Sequence, residues 1–288
     1  KLNMVSKFRD FFFMKKNIGI QGIKGSFHHI VANNFFGKEI DLAEYLSFEE
    51  MIYNLNKGKI DYAVMAIENS TAGSIIPNYA LIDEYDINIV GEYYHQITHN
   101  LMALKGQSLE DIKEVQSHPM ALLQCRDFFK NNSSITLVEE KDTAQIAKKI
   151  ADNKLKGLGA VASELACKTY DLEIIKENIQ TIKKNQTRFV ILQNIRPSKN
   201  KNINKASLKF ELDHKRGSLA TILNVLSDCK LNLTKIQSMP KIQTPWRYSF
   251  FVDITFDKKE HYFKAKSIVE IMAKEFKVLG EYKNAKDD

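Results

Sequence analysis

The run Thr187-Arg188-Phe189-Val190-Ile191-Leu192 places a permanent positive charge in an otherwise apolar, strand-like segment. Arginine is scarce here, six among 42 basic residues. A guanidinium forks onto a carboxylate through two parallel hydrogen bonds, so Arg188 reads as a grip for an anionic ligand. Two structural uses compete with that reading, a surface arginine at a strand start and an ion pair with Glu68. A second polar cluster, Glu68-Asn69-Ser70, follows the apolar run Tyr62 to Ile67. Its side chains emerge at the C-terminal end of a strand, where open α/β sheets bind their ligands. Asn69 and Ser70 offer neutral donors, and Glu68 could orient Arg188. Asn69, Ser70 and Thr71 also suit a helix N-cap. Gly25-Ser26-Phe27 has the same double reading, because backbone amides at a helix start attract an anion. Thr143, in Asp142-Thr143-Ala144, and Ser163, in Val161-Ala162-Ser163, occupy comparable loop-to-helix junctions.

Metal and redox chemistry find no support in the residue spacing. Neither His99 nor His118 sits in paired or His-x-x-Glu-His spacing, and both read as structural, His118 bracing the turn before Pro119 or capping a helix. His28 and His29 read as surface helix positions. Cys125, Cys167 and Cys229 are scattered, with no CxxC pair, which fits a reducing cytoplasm and no structural zinc. The turn from Gln21 to Phe27 lacks the GxGxxG spacing of a dinucleotide site. No cofactor is expected. The net charge of +7 comes mostly from lysines spread evenly along the chain, a solvated surface rather than a nucleic-acid face. No apolar stretch approaches the roughly 20 residues that span a bilayer.

The elements that must position these groups alternate. Ile18 to Ile20 reads as a strand, the glycine-rich turn follows, and His28 to Phe36 reads as a helix ending at Gly37. Phe48 to Asn56 is a second helix and Tyr62 to Ile67 a second buried strand, the pattern of an α/β sheet. The polar stretch Asn194 to Asn202, with Pro197, reads as a linker. Beyond it, strands at 207–212, 231–238, 248–256 and 278–282 and helices at 217–229 and 261–276 give the order βαββαβ, a ferredoxin-like unit. Residues 1–16 mix charge with a phenylalanine cluster and read as an extension, with Met14 a candidate start.

From Ile18 to Tyr282 the chain resembles prephenate dehydratase. The matching motifs are Gly22-x-x-Gly25-Ser26-Phe27, Ala66-Ile67-Glu68-Asn69-Ser70 with Ala72-Gly73-Ser74, His99, Ser117-His118-Pro119 through Gln124-Cys125, Asp142-Thr143-Ala144, and Thr187-Arg188-Phe189. The C-terminal unit resembles the ACT regulatory domain, through Arg216-Gly217-Ser218-Leu219 and the segment Asn232 to Pro240. Ala66 replaces the family's usual proline, and Gln237 and Met239 replace a glutamate and an arginine of its effector segment. The residues before Asn17 leave no room for a chorismate mutase domain, so the resemblance points to the monofunctional form.

The resemblance implies the loss of carbon dioxide and hydroxide from prephenate to give phenylpyruvate, a lyase reaction driven by aromatisation. It makes Thr187 the catalytic hydroxyl, a donor to the departing C4 oxygen. Arg188, Phe189, Glu68, Asn69, Ser70, Gly25, Ser26, Phe27, Thr143 and Ser163 become substrate contacts. It implies a catalytic domain over 17–195 in two α/β lobes like those of periplasmic solute receptors, one at 17–92 with 179–195 and one at 93–178. The active site would lie in the cleft between them. A linker at 196–204 and an ACT domain at 205–285 would follow. L-phenylalanine would bind as inhibitor at Gly217, Ser218, Leu219, Asn232, Leu233, Gln237, Ser238, Met239 and Pro240, in a cytoplasmic homodimer or homotetramer. Arogenate dehydration, and a binding or amino-acid-sensing protein without chemistry, are the competing functions.

Overall fold

The computed structural model describes residues 15–195, 202–213, 215–241 and 247–286. Residues 1–14 of the expected extension, Met14 included, and 196–201 of the expected linker lie outside the described residues. In chain order the elements are β1 (Lys16–Gln21), α1 (Phe27–Phe36), β2 (Ile40–Tyr45), α2 (Phe48–Asn56), β3 (Tyr62–Asn69), β4 (Gly73–Ser74), α3 (Ile76–Glu84), β5 (Asn88–Gln96) and β6 (Asn100–Ala103). Then come β7 (Glu114–Ser117), α4 (Pro119–Gln124), α5 (Arg126–Lys130), β8 (Thr136–Glu139), α6 (Thr143–Asn153), β9 (Leu158–Ala162), α7 (Glu164–Thr169), β10 (Glu173–Lys176) and β11 (Gln186–Gln193). The chain ends with β12 (Lys205–Glu211), α8 (Ser218–Asp228), β13 (Asn232–Pro240), β14 (Tyr248–Thr255), α9 (Lys259–Met272) and β15 (Glu275–Tyr282).

The chain forms two compact units. The first holds residues up to 65, 70–72 and 95–187; the second holds 66–69, 73–94 and 188–288. This division departs from the expected lobes. Three strands, β3, β5 and β11, pass from one unit to the other, and the βαββαβ segment shares a unit with 73–94 and 188–195.

In the first unit β1 pairs in parallel with β2 and with the start of β3, as consecutive βα steps dictate. The same unit holds a five-stranded sheet, ordered β10-β6-β9-β7-β8. Strand alternation divides the core of that sheet in two. Leu101, Ala103 and Val161 face Ala121, Leu122 and Cys125 of the α4 region, while Met102, Ala160 and Ala162 face Ala144, Ala147 and Ile150 of α6.

In the second unit β13-β14-β12-β15 form an antiparallel sheet, and α8 and α9 pack on it through Ile222, Leu226, Tyr262 and Val269. That is the ferredoxin-like order expected. The sheet continues through β15 onto β5, where Gly280 lies against Ile89. A Cβ on Gly280 would fall 2.2 Å from the Ile89 carbonyl oxygen, so this strand junction requires glycine. No helix among the described residues is long and apolar enough to cross a membrane.

One expectation fails within α1. His28 is buried, not surface-exposed, with its ring edge-on to Phe48 at 5.4 Å. Burial pushes its imidazole down to about 3, so it is neutral and belongs to the core.

Candidate functional site

The loop after β1 turns sharply because Gly25 adopts φ +92° and lies against α7; a Cβ there would sit 2.7 Å from the Ala166 Cα. Its carbonyl accepts a 2.5 Å hydrogen bond from the Ser163 hydroxyl, which in turn accepts from the Ala166 amide at 3.0 Å. Ser163 is therefore a brace and a cap, both its donor and an acceptor lobe engaged, and the expectation that it contacts substrate is corrected. Ser26 caps α1, accepting from the His29 amide at 3.3 Å. Phe27 opens that helix and meets the His99 ring edge-on at 5.7 Å. Thr143 begins α6, which Asp142 caps by accepting from the Gln145 amide at 2.8 Å.

Ser70 is pinned to the residue before Thr187. Its amide donates to the Gln186 carbonyl at 2.8 Å, and its hydroxyl accepts from the Gln186 amide at 2.9 Å. The two segments singled out in the sequence thus lie side by side. Asn185 precedes Thr187 by two residues, the spacing that puts side chains on one face of an extended chain. It anchors a closed polar ring. The Asn185 amide donates to Gln124 Oε1 at 2.9 Å, Gln124 Nε2 donates to the Thr71 hydroxyl at 3.1 Å, and that hydroxyl donates to Asn185 Oδ1 at 3.4 Å.

His99 joins this ring through Nε2, 2.9 Å from Gln124 Oε1. Gln124 Oε1 is an acceptor, so the imidazole proton sits on Nε2. Nδ1 is then a bare acceptor, buried without a partner among the described residues. Burial holds this imidazole below its ordinary pKa, with the Gln124 bond opposing the shift, so the ring is neutral. Phe27, Ser70, Thr71, His99, Gln124, Asn185 and Thr187 all belong to the first unit. Thr187 is 7 % exposed. Such an arrangement can hold a neutral donor against a departing oxygen with little reorganisation. In the sequence Thr71 stood out only as a helix-cap candidate and Gln124 only within a family motif, and Asn185 not at all; the two-residue spacing from Asn185 to Thr187 was the available signal.

The second unit overturns three expectations. Arg188 does not await a carboxylate: it is 4 % exposed and all three guanidinium nitrogens donate to the protein. Nε donates to Glu92 at 2.7 Å, Nη1 to Asp253, and Nη2 to the Tyr282 hydroxyl at 2.9 Å. The reason is strand alternation, which turns Arg188 to the face opposite Thr187. Nor does Glu68 orient Arg188; it pairs with Lys235 at 2.7 Å. Phe189 is buried and apolar and packs in the core, which corrects its expected contact with substrate. Asn69, the last residue of β3, is buried directly before Ser70.

At the start of α8, Gly217 adopts φ +80° as an N-cap without a side chain. A surface cavity of about 110 Å³ opens beside it, lined by Asp213, Lys215, Ser218, Leu219, Arg247 and Tyr248 among others. Of the expected effector residues, Ser218 and Leu219 line this cavity. Asn232, Leu233, Gln237, Ser238, Met239 and Pro240 lie along β13 instead, with Pro240 paired across from Tyr248.

The chain is 33% identical over 276 residues to the bifunctional chorismate mutase/prephenate dehydratase of Buchnera aphidicola, covering 94% of this chain and 71% of that one. It is 34% identical over 279 residues to arogenate dehydratase/prephenate dehydratase 2 of Arabidopsis thaliana, covering 92% and 72% respectively. A solved prephenate dehydratase from Arthrobacter aurescens in complex with L-Phe shares the fold, with a TM-score of 0.81 at 22% identity over 94% of this chain and 91% of that one. The family model for prephenate dehydratase matches residues 18–196, from β1 past the end of β11, and so takes in Ser70, Asn185 and Thr187. On that match the chain belongs to the prephenate dehydratase family.

Proposed function

We propose that Thr187, Ser70 and the ring around Gln124 catalyse the conversion of prephenate to phenylpyruvate. The ring carboxylate leaves as carbon dioxide, its bonding electrons enter the ring, and the C4–O bond breaks with loss of hydroxide. Aromatisation supplies the driving force, so the protein needs neither a strong electrophile nor an electron carrier. The observation that carries this reading is the reciprocal pair of bonds between Ser70 and Gln186, which fixes two hydroxyl-bearing residues side by side. In this reading Thr187 donates to the C4 oxygen, and Asn69 and Ser70 contact the substrate's polar groups. The first turns of α1, at Gly25-Ser26-Phe27, and of α6, at Thr143, face its carboxylates. The test is direct: purified protein is given prephenate or arogenate, and phenylpyruvate and phenylalanine are measured. Phenylpyruvate formed from prephenate at an enzymatic rate supports the reading, whereas phenylalanine from arogenate alone moves the chain to the competing substrate. No product from either leaves a binding protein.

We further propose feedback by L-phenylalanine at the α8 cavity. The expected linker at 196–204 and regulatory domain at 205–285 carry over into this proposal, and a second copy pairs along β13, the outer strand of its sheet. The amides at the start of α8 suit a carboxylate, and Leu219 and Tyr248 can flank an aromatic ring. Inhibition requires phenylalanine to favour a less active state, by a coupling of about 1–3 kcal/mol. Millimolar phenylalanine is expected to lower turnover and raise the thermal midpoint. Gly217→Val should remove both responses. A Cβ at Gly217 meets nothing within 4 Å, so the cause is not a filled cavity. A β-branched residue cannot hold φ +80°, and the turn that shapes the cavity must move. An unaltered midpoint shift in the variant would discard this location.

A further inference from the structure

Within the second unit, Lys235 and Asp253 contact Glu68 and Arg188, two residues that stand close in sequence to the proposed site. In the antiparallel pair β13–β14, Lys235 lies directly opposite Asp253. Opposed residues of such a pair project to the same face of the sheet. The Lys235 ammonium, 8 % exposed, contacts Glu68 at 2.7 Å and donates to the Ser74 hydroxyl at 2.7 Å. It also lies 5.6 Å from the centre of the Tyr79 ring. Asp253 is buried and accepts from Arg188 Nη1 and from the Ser207 hydroxyl. Glu68 stands two residues before Ser70, and Arg188 one residue after Thr187. One cross-strand pair of opposite charges therefore holds two residues of opposite charge, each within two residues of a proposed catalytic or substrate-binding hydroxyl.

We infer that Lys235 and Asp253 are positioning residues for the dehydration, setting the placement of Ser70 and Thr187 through Glu68 and Arg188. The inference rests on the reading of Thr187 and Ser70 as site residues. Arg188 and Thr187 share a peptide unit, so a slide of β11 at Arg188 displaces the Thr187 hydroxyl by a similar amount. The same holds at the end of β3, where a shift of Glu68 passes through Asn69 to Ser70. A misplacement of about 1 Å in a reacting geometry can cost about 100-fold in rate. The Arg188–Asp253 contact is buried and the Lys235–Glu68 contact half-buried, with 36 % of the Glu68 side chain exposed; each ties its segment to a strand of the C-terminal sheet and opposes such slides. A β-sheet that would suffice as a regulatory platform thereby becomes part of the catalytic scaffold.

The test uses the full chain and prephenate turnover. Asp253→Asn keeps the shape and removes the charge that faces Arg188; Lys235→Met keeps the length and removes the charge that faces Glu68. Each is expected to lower kcat by about tenfold with KM within about twofold, because the substrate contacts themselves stay in place. Adding Asp253→Asn to Arg188→Met should produce no further fall in kcat, since both act through one contact. If Arg188→Met does not fold, the same cycle on Lys235→Met and Glu68→Gln carries the test. Both single variants retaining kcat within twofold while their thermal midpoints fall would overturn the inference and leave a purely structural network. Thr187→Ala in parallel separates the two readings. Full turnover by that variant overturns the site assignment itself, whereas an inactive Thr187→Ala beside a fully active Asp253→Asn overturns the positioning role alone.

Discussion

Thr187→Ala is expected to lower kcat for prephenate by about 100-fold or more, with KM changed by no more than several-fold. Aromatisation leaves one task undone. Carbon dioxide departs readily once its electrons can enter the ring, but the C4 oxygen must leave as hydroxide unless something shares its growing charge. A hydroxyl donor is worth most when that charge is largest, so its bond strengthens on the way to the transition state and contributes little to ground-state binding. In the proposed role Thr187 would be held by its surroundings. Gln186 before it is held at both amide and carbonyl by Ser70, and Asn185 is locked into the ring with Gln124 and Thr71. The hydroxyl is thus presented by a backbone that has little freedom left, and no reorganisation is required at the moment of bond cleavage. Thr187→Ser should recover much of the lost rate, because it restores the donor and surrenders only a methyl group. Equal rises in KM for Thr187→Ala and Thr187→Ser with kcat unchanged would instead assign this position to substrate binding.

Local pattern decided what could be read in advance. The helix over Phe48–Asn56 and the buried strand from Tyr62 follow from spacing and composition alone, although that strand, read to Ile67, runs on to Asn69; the βαββαβ order of the last eighty or so residues survives with shifts of a few residues at its ends. The proximity of Ser70 to Thr187 followed from family resemblance, not from any local rule. Arg188 shows where local reasoning stops. A lone arginine in an apolar strand announces a buried or ligand-facing charge, but its partners are 96, 65 and 94 residues away in sequence. Nothing in the neighbourhood of Glu92 or Asp253 singles either out, and the ion pair imagined with Glu68 fails because Lys235 holds that carboxylate. His28 is a different kind of miss. It recurs with Val31 and Ala32 at helical spacing on the buried face of α1, a signal that was present and outweighed by the residue's polarity.

Arg188→Ala is expected to act on stability, costing about 3–5 kcal/mol, because it leaves buried carboxylates without their principal counter-charge. For a chain of this size that corresponds to a fall in thermal midpoint of about 10 °C. Glu92 retains Lys205, which contacts its two oxygens at 2.9 and 2.8 Å. Asp253 is left with the Ser207 hydroxyl as its close partner. Burial by itself would raise the Asp253 carboxyl, and Arg188 is what holds it below the ordinary carboxylate range. In the parent that depressed value means a stabilising contribution present above the unfolded-state pKa and lost as pH falls through the folded one. In the variant the largest opposition to burial is removed and the Ser207 hydroxyl and the Lys205 charge alone remain, so the folded carboxyl is expected to bind its proton more tightly than the unfolded one. The sign then reverses: this group's contribution is largest in acid and diminishes as pH rises past the unfolded-state pKa. The difference in thermal midpoint between parent and Arg188→Ala should therefore be wider at pH 8 than near pH 5, a trend that loss of packing volume does not produce. A variant with an unaltered midpoint and a KM raised by two orders of magnitude would show instead that the guanidinium meets substrate, and that the ion network around it opens during turnover.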